Sequence, residues 1–324
     1  MTASAANPSS RVAARNARVL RCTDICREHV RIEAELDGFP ASAPGQFLQI
    51  QCHDSDDPAA RLIEWTDMPR TGSAGGVASA DETAWLRRPF SIADRRDAPD
   101  GRTQLEVISR AIGPGTRWLS KLRTGDTLNL TGPLGSGFRI AEVNRPMVLV
   151  GGGVGIPPLL YLARALAARG AADVTCIFGA TTRDLLPVPL RGEPTSDSTP
   201  TPCVELPGGA PYPTLVTTDD GSIGMRGYTT QALSTWAATR AAAESTLVCA
   251  CGPDGMLRAI ARLTRELRMA CQLCIEKPMA CGLGTCLSCV TRIRDGRADG
   301  GWRWALACTE GPVFERDALL EYAS

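Results

Sequence analysis

The sequence predicts a multidomain protein of α+β and α/β parts: an antiparallel β-barrel, then a parallel-sheet domain, then a small cysteine-rich domain at the C-terminus. Three observations carry this. From Ala17 to Ile140, short runs of strand character are separated by Pro, Gly and Asp turns. After Arg145-Pro146, continuous apolar strands alternate with amphipathic helices, which requires a parallel sheet. From about Met269, cysteines crowd together. A length of 324 residues also exceeds what one typical core organises.

In the first region the strands are "ARVLRCT", "VRIEAEL", "GQFLQIQC", "RRPFSIAD", "TQLEVISR" and "DTLNLTG". A helix is expected near "GTRWLSKLR", with Thr116 as its cap and Trp118, Leu119 and Leu122 sharing one face. Between Cys52 and Leu86 no periodicity is sustained, so a long surface loop is expected. The opening "MTASAANPSSRVAARNARVL" has no acidic residue before Asp24 and no secretory apolar core. Residues 1–16 therefore read as a disordered tail, with an organelle transit peptide as the alternative.

In the second region "PMVLVGGG" is a buried strand, "PPLLYLARALAARG" a helix stopped by Gly170, and "ADVTCIFGA" a second strand. A polar loop, Gly192 to Pro202, precedes "YPTLVTT", the helix "YTTQALSTWAATRAAA", "STLVCACG" and the helix "DGMLRAIARLTRELR". The domains implied are 17–143 (barrel), 144–268 (α/β) and 269–324 (cysteine-rich).

Chemistry follows from the turns. "VLVGGGVGIPP" puts Gly151, Gly152, Gly153 and Gly155 where a strand enters a helix, so that backbone N–H groups and a helix N-terminus can meet a pyrophosphate. Close packing of helix on sheet is the competing structural reading. A second such turn, "CACGPDGM", follows another apolar strand, and two together favour a ligand crevice in a Rossmann-like domain. In the barrel, "RRPFSIAD" offers Arg88 to a phosphate, Phe90 to a planar ring and Ser91 to a ring heteroatom, although an ordinary edge strand explains the same residues. "ISRAIGPGT" ends in Gly115-Thr116 at a helix start, a further anion site.

Cys281, Cys286 and Cys289 follow C-x4-C-x2-C, and Cys308 returns nineteen residues later, which is the plant-type [2Fe–2S] spacing. Gly282 and Gly284 suit a loop whose N–H groups turn inward toward sulfur. The rival is a structural zinc site built from Cys271, Cys274, Cys286 and Cys289, which leaves Cys281 and Cys308 idle. A Rieske centre needs two histidine ligands, and His29 and His53 are remote in sequence.

Composition narrows the partners. Lys+Arg and Asp+Glu balance at 35 each, which excludes the basic excess of a nucleic-acid binder. Thirteen cysteines without a secretory signal imply a reducing compartment, hence a cytoplasmic protein. The long uncharged run from Met147 to Ala163 contains a glycine triplet and Pro157-Pro158 and is too short to span a bilayer, so no membrane partner is expected.

Taken in order, "PGQF", "RRPFSIAD", "GPGT", "GDTLNLTGPLGSGF", "VLVGGGVGIPPL", "TTDDGSIGMRGYTT", "CGPDGML", "EKPMACGLGTCLSC" and "CTEGPVF" resemble the electron-transfer subunit family of the NAD-linked dihydroorotate dehydrogenases, over about Ala17 to Phe314. The resemblance implies an FAD-binding barrel, a ferredoxin-reductase-like NAD domain and a C-terminal [2Fe–2S] domain. By matching motif it implies FAD contacts at Arg88, Pro89, Phe90, Ser91, Ile108, Ser109, Arg110, Gly115 and Thr116. It implies an NAD site at Gly151, Gly152, Gly153, Gly155, Gly252 and Pro253, and cluster ligands Cys281, Cys286, Cys289 and Cys308. The implied activity passes electrons from the FMN of a separate catalytic subunit, two of each subunit per complex, through the cluster and FAD to NAD+ in pyrimidine synthesis. No general acid or base is assigned to this chain. The family often has an aromatic residue where Ser109 stands, and the loops at 52–86 and 192–202 are longer than usual. Related reductase modules of hydrogenases, sulfite reductases and ferredoxin:NAD(P) oxidoreductases often carry aspartate as the first cluster ligand, against Cys281 here. A zinc-binding interaction protein is the alternative from another class.

Overall fold

The computed structural model describes residues 13–53, 84–297 and 299–323. Its first sheet is an antiparallel half-barrel of seven strands: β1 (Ala14–Cys26), β2 (His29–Asp37), β3 (Phe47–Cys52), β4 (Ala84–Ser91), β5 (Asp94–Asp97), β6 (Arg102–Arg110) and β7 (Thr127–Leu134). They lie in the order β4-β3-β7-β1-β2-β6-β5. Alternation does the folding work: Val19, Ile32, Leu48, Ile50, Val107, Leu128 and Leu130 share one buried core. The short helix α1 (Pro114–Leu119) adds Leu119 to it. Thr116 is not the cap of this helix. It stands one turn in, and its Oγ1 accepts the Ile112 and Gly113 N–H groups at 3.0 and 2.9 Å.

The start of the chain differs from the sequence expectation. Ala14, Arg15 and Asn16, assigned to a disordered tail, are in β1 and pair with Thr131, Leu130 and Asn129 of β7. Ala14 and Asn16 are exposed and Arg15 is half-buried, so this end is held by backbone pairing and by the Asn129 side-chain N–H, which donates to Asn16 Oδ1 at 2.6 Å. Such a strand has no apolar alternation to betray it. Most of the expected loop between Cys52 and Leu86 lies outside the described residues.

The second sheet comprises β8 (Met147–Gly152), β9 (Val174–Ala180), β10 (Thr214–Thr218), β11 (Met225–Arg226), β12 (Leu247–Cys251) and β13 (Ala270–Cys274). After a hairpin of β14 (Val290–Arg294) and β15 (Trp302–Leu306), β16 (Val313–Glu315) returns to it. The order is β11-β10-β9-β8-β12-β13-β16, with only β16 antiparallel to its neighbour. Helix α2 (Pro157–Ala168) packs Leu159, Leu160 and Leu166 on one face of the sheet. Helices α3 (Thr229–Ala238) and α4 (Asp254–Glu266) pack Leu233, Trp236, Leu257 and Ile260 on the other. Helix α3 stops five residues short of the expected "AAA", and a 3-10 turn at Ala243–Ser245 follows.

Strand β13 was expected to open the cysteine-rich unit. It is instead an interior strand of the parallel sheet, with α4 as its crossover from β12. Helix α4 followed by the apolar run Met269–Ile275 makes one more strand–helix–strand unit, which the cysteines in that run disguise. The half-barrel is pinned to α2 by the Arg164–Asp94 ion pair at 2.7 Å and by the Tyr161 hydroxyl, which donates to the Ser42 carbonyl at 2.9 Å.

Candidate flavin, nucleotide and iron–sulfur sites

Strand order locates the nucleotide crevice. Beyond β8 the chain winds to β9 and β10 on one side and reaches β12 and β13 on the other, so the C-terminal ends of β8 and β12 flank the switch point at which open α/β sheets bind ligands. Both glycine turns sit there. A Cβ on Gly155 would stand 2.3 Å from the Cys251 carbonyl oxygen, so the two turns meet backbone to backbone. A cavity of about 480 Å³ opens above them, lined by Gly152, Gly153, Pro253, Met256, Tyr228 and Asp219 among others. Gly151 lines neither this cavity nor the one beside it; it is inside β8, paired with Phe178 and Cys251. Gly155 and Gly252 face the neighbouring cavity instead.

That neighbour, of about 560 Å³, lies between half-barrel and parallel sheet. Arg88, Pro89, Phe90, Ser91, Ile108, Ser109, Arg110, Gly115 and Thr116 all line it, brought together from β4, β6 and α1. Of the two adjacent arginines only Arg88 is available to a phosphate. Arg87 is held by the Asn129 side chain and by the carbonyls of Gln49 and Asn129 at 3.2 and 3.3 Å. Ser109 is buried at 2% exposure and its Oγ has no hydrogen-bond partner among the described residues. A buried hydroxyl of this kind is ordinarily satisfied, so Ser109 fits a cavity whose occupant carries polar ring atoms. Arg110, Val154 and Pro253 line both cavities and form their common wall.

The thiol loop leads off the larger cavity. Glu276, Lys277 and Met279 line the larger cavity and lead directly into Cys281. Gly282 and Gly284 have φ of +71° and +87°, a conformation that glycine adopts without the strain of a side chain. The loop turns its amides inward: the N–H groups of Leu283 and Cys286 donate to Cys281 Sγ at 3.3 and 3.4 Å. Hairpin register supplies the fourth thiol. Val290 pairs with Leu306, and the Ala307 N–H donates to the Cys289 carbonyl at 3.0 Å, which sets Cys308 beside Cys289.

The thiols form two pairs, Cys281 with the exposed Cys286 and the buried Cys289 with the buried Cys308. The Ser288 hydroxyl, 3.1 Å from Cys286 Sγ, and inward-turned loop amides hold the Cys286 thiol down at about 6. Burial pushes Cys308 up to about 12, with the adjacent Cys289 sulfur adding to the shift. Two thiolates per iron is what a [2Fe–2S] rhomb needs, and the donor set fits it. The zinc alternative does not fit. Cys271 packs on one face of the second sheet and Cys274 on the other, so the strand points them apart.

The iron–sulfur cluster binding domain of dihydroorotate dehydrogenase B matches residues 276–320. The electron transfer subunit of dihydroorotate dehydrogenase B (NAD(+)) from Caldanaerobacter subterraneus is 30% identical over 304 residues, 94% of this chain and 97% of the relative. The chain belongs to this family of electron transfer subunits. The corresponding subunit of Shouchella clausii is 31% identical, over 91% of this chain and 94% of its own. Among solved structures, a chain of an NADH-dependent reduced ferredoxin–NADP oxidoreductase superposes with a TM-score of 0.66 at 24% identity, covering 94% of this chain and 89% of that one. A cytochrome P450 reductase of Amycolatopsis gives 0.54 at 22% identity, covering 80% and 68%. Those likenesses fix the ferredoxin-reductase-like fold.

For this electron transfer subunit, motif reading missed several lining residues. Phe47, Ile112, Cys251, Cys274 and Glu276 face the larger cavity; His29, Thr217, Asp219 and Tyr228 face the smaller. Most belong to quoted motifs, Phe47 to "PGQF", Thr217, Asp219 and Tyr228 to "TTDDGSIGMRGYTT" and Cys251 to "CGPDGML", but no site role was read from them; His29 and Cys274 stand outside every such motif. Near the smaller cavity Asp184 pairs with Arg27 at 3.0 Å and Arg183 with Glu193 at 3.7 Å on the surface, while Asp219 is among the residues that line the cavity.

Proposed function

We propose that the chain holds its [2Fe–2S] cluster on Cys281, Cys286, Cys289 and Cys308, binds FAD in the larger cavity through Arg88 to Ser91, Ile108 to Arg110, Gly115 and Thr116, and receives NAD in the smaller one at Gly152, Gly153 and Pro253. It is the electron transfer subunit of an NAD-dependent dihydroorotate dehydrogenase, an oxidoreductase component of pyrimidine biosynthesis. The observation that carries the site assignment is continuity: Glu276 to Met279 join the thiol loop to the larger cavity, and Arg110, Val154 and Pro253 join the larger cavity to the smaller.

When bound, the cluster supplies one-electron transfer, the flavin converts between one and two electrons, and NAD takes hydride. The chain's own residues bind and orient. Arg88 offers a cation to the flavin phosphates, Ser109 a buried hydroxyl to polar atoms of the ring, and the turns after β8 and β12 a close backbone surface for the nucleotide. Asp219, an acidic residue lining the smaller cavity, disfavours the 2′-phosphate of NADP and is the ground on which we choose NAD.

The catalytic partner, which we take to carry FMN and to assemble as two copies with two of this chain, docks on the exposed side of the cluster loop. Leu283 and Leu287 are 50% and 60% exposed there. Trp302 and Trp304 stand on β15 with ring centroids 5.5 Å apart, and Trp304 is 56% exposed. Exposed leucine and tryptophan of this kind suit a protein interface. No helix among the described residues is long and apolar enough to cross a membrane. Thirteen free thiols fit a reducing cytoplasm, where we place the complex.

The test is to purify the chain with its FMN subunit and assay dihydroorotate-dependent NAD+ reduction. A stable complex with that activity is expected. Failure to form one, with flavin and cluster fully loaded, would sink the partner assignment.

A further inference from the structure

Gln49 is on β3, fully buried at 0% exposure. Its neighbours Leu48 and Ile50 point into the half-barrel core, so Gln49 faces outward on the same side as Phe47, which lines the larger cavity. Its cross-strand partners are Pro89 and Thr131. What covers it is the thiol loop. A Cβ on Gly282, the residue after Cys281, would lie 2.7 Å from Gln49 Cγ and 2.8 Å from Nε2, so the amide is pressed against the loop at its first ligand.

Neither amide atom of Gln49 has a hydrogen-bond partner among the described residues, although both are buried. Leaving such a group unsatisfied is destabilising, and an apolar side chain would avoid that cost. Gln49 does not line the larger cavity, so a flavin there is not its partner. Among the described residues the neighbour that remains is the thiol loop at Gly282, where the thiolates and sulfides of a bound cluster would accept hydrogen bonds and donate none.

We infer that Gln49 is a positioning residue for the [2Fe–2S] cluster: its side-chain N–H donates to sulfur at the Cys281 side, so that a residue of the half-barrel sets the cluster's reduction potential. This rests on the assignment of Cys281, Cys286, Cys289 and Cys308 as ligands. Reduction adds negative charge to the cluster, and a hydrogen bond to sulfur stabilises the reduced form more than the oxidised one. Removing the donor therefore drives the potential down.

The experiment is a potentiometric titration of the holoprotein followed by electron paramagnetic resonance, on the wild type, Gln49→Leu and Gln49→His. With iron and FAD content unchanged, Gln49→Leu should lower the ratio of reduced to oxidised cluster at fixed ambient potential by roughly tenfold, about 59 mV for a one-electron couple. Gln49→His, which keeps a donor, should recover most of the shift. A fully loaded Gln49→Leu protein with unchanged potential and spectrum overturns the inference, even if its thermal stability falls. Should Gln49→Leu fail to load, wild-type protein carrying 15N in its glutamine amides decides the matter: hyperfine coupling of the reduced cluster to a side-chain 15N supports the inference, and its absence overturns it. Wild-type protein that binds no iron would instead sink the ligand assignment itself.

Discussion

Gly155→Ala tests whether the packing of the two glycine turns sets the nucleotide geometry. The added Cβ would stand 2.3 Å from the Cys251 carbonyl oxygen, 2.4 Å from its carbon and 2.5 Å from Gly252 Cα. Ordinary contact begins near ~3.5 Å, so backbone at the end of β12 must retreat by roughly 1 Å. No flexible side chain can absorb the clash. Overpacking of this kind costs about 1–3 kcal/mol, which in a domain of this size lowers Tm by roughly 4–8 °C at the middle of that range. The same displacement separates Gly252-Pro253 from Gly152-Gly153, and a shift near 1 Å can cost ~100-fold in a reaction that depends on alignment. Gly153→Ala is the control. Gly153 has φ +53° and nothing within 4 Å of its Cβ position, so the substitution strains the turn by about 1–2 kcal/mol without pushing β12. NADH oxidation with an artificial acceptor, stopped-flow flavin reduction and thermal unfolding read out both variants. Gly155→Ala should lose far more hydride-transfer rate than Gly153→Ala; equal rates, or a Gly155→Ala protein with wild-type rate and Tm, would refute the reasoning.

Replacing Cys281 with Ala should strip or destabilise the cluster while FAD stays bound, as iron and sulfide analysis beside flavin content will show; unchanged iron would count against the ligand set. Burial holds the His29 imidazole below its ordinary value of 6.5, so the unfolded chain binds a proton that the folded chain refuses. The stability His29 confers is thus full above pH 6.5 and falls as pH drops through the lowered folded value, by at most about 1.4 kcal/mol per pH unit. His29→Gln should flatten the acid side of the Tm–pH profile, and an unchanged slope below pH 6.5 would contradict this. Removing FAD from cluster-loaded protein should abolish reduction of the cluster by NADH while dithionite still reduces it; persistent NADH reduction would break the proposed electron order.

The legible parts of the site were local in sequence. The spacing of Cys281, Cys286 and Cys289 is a property of one loop, and the glycines between them announce its backbone, as +71° and +87° at Gly282 and Gly284 bear witness. Cys308 was legible as the returning fourth cysteine, but what sets it beside Cys289 is the register of Val290 with Leu306, which the spacing does not show. Arg87 and Arg88 are equivalent in the sequence, and only the packing of Arg87 against Asn129 separates them. The glycine run did not show that Gly151 is still within β8, because a run does not say where the strand ends and the turn begins. Strand β13 hid behind Cys271 and Cys274, whose thiols behave as small core side chains. Gln49 and His29 were invisible for a simpler reason: a single polar residue in an alternating strand reads as solvent-facing until something is packed over it.

What packs over such residues also constrains the order of transfer. None of Cys281, Cys286, Cys289 and Cys308 lines either cavity, whereas the segment that leads into them lines the larger one alone. The smaller cavity meets the larger through Arg110, Val154 and Pro253 and has no lining residue from the thiol loop. A nicotinamide placed there is separated from the thiols by the larger cavity, and it exchanges a hydride that a one-electron cluster cannot take. The opposite side of the loop, with Cys286, Leu283 and Leu287 exposed, is open to a partner. Among the described residues, the smaller cavity and the thiol loop are joined through the larger cavity, where we place the flavin, so the one-electron and hydride sites we propose are held apart by the chain itself.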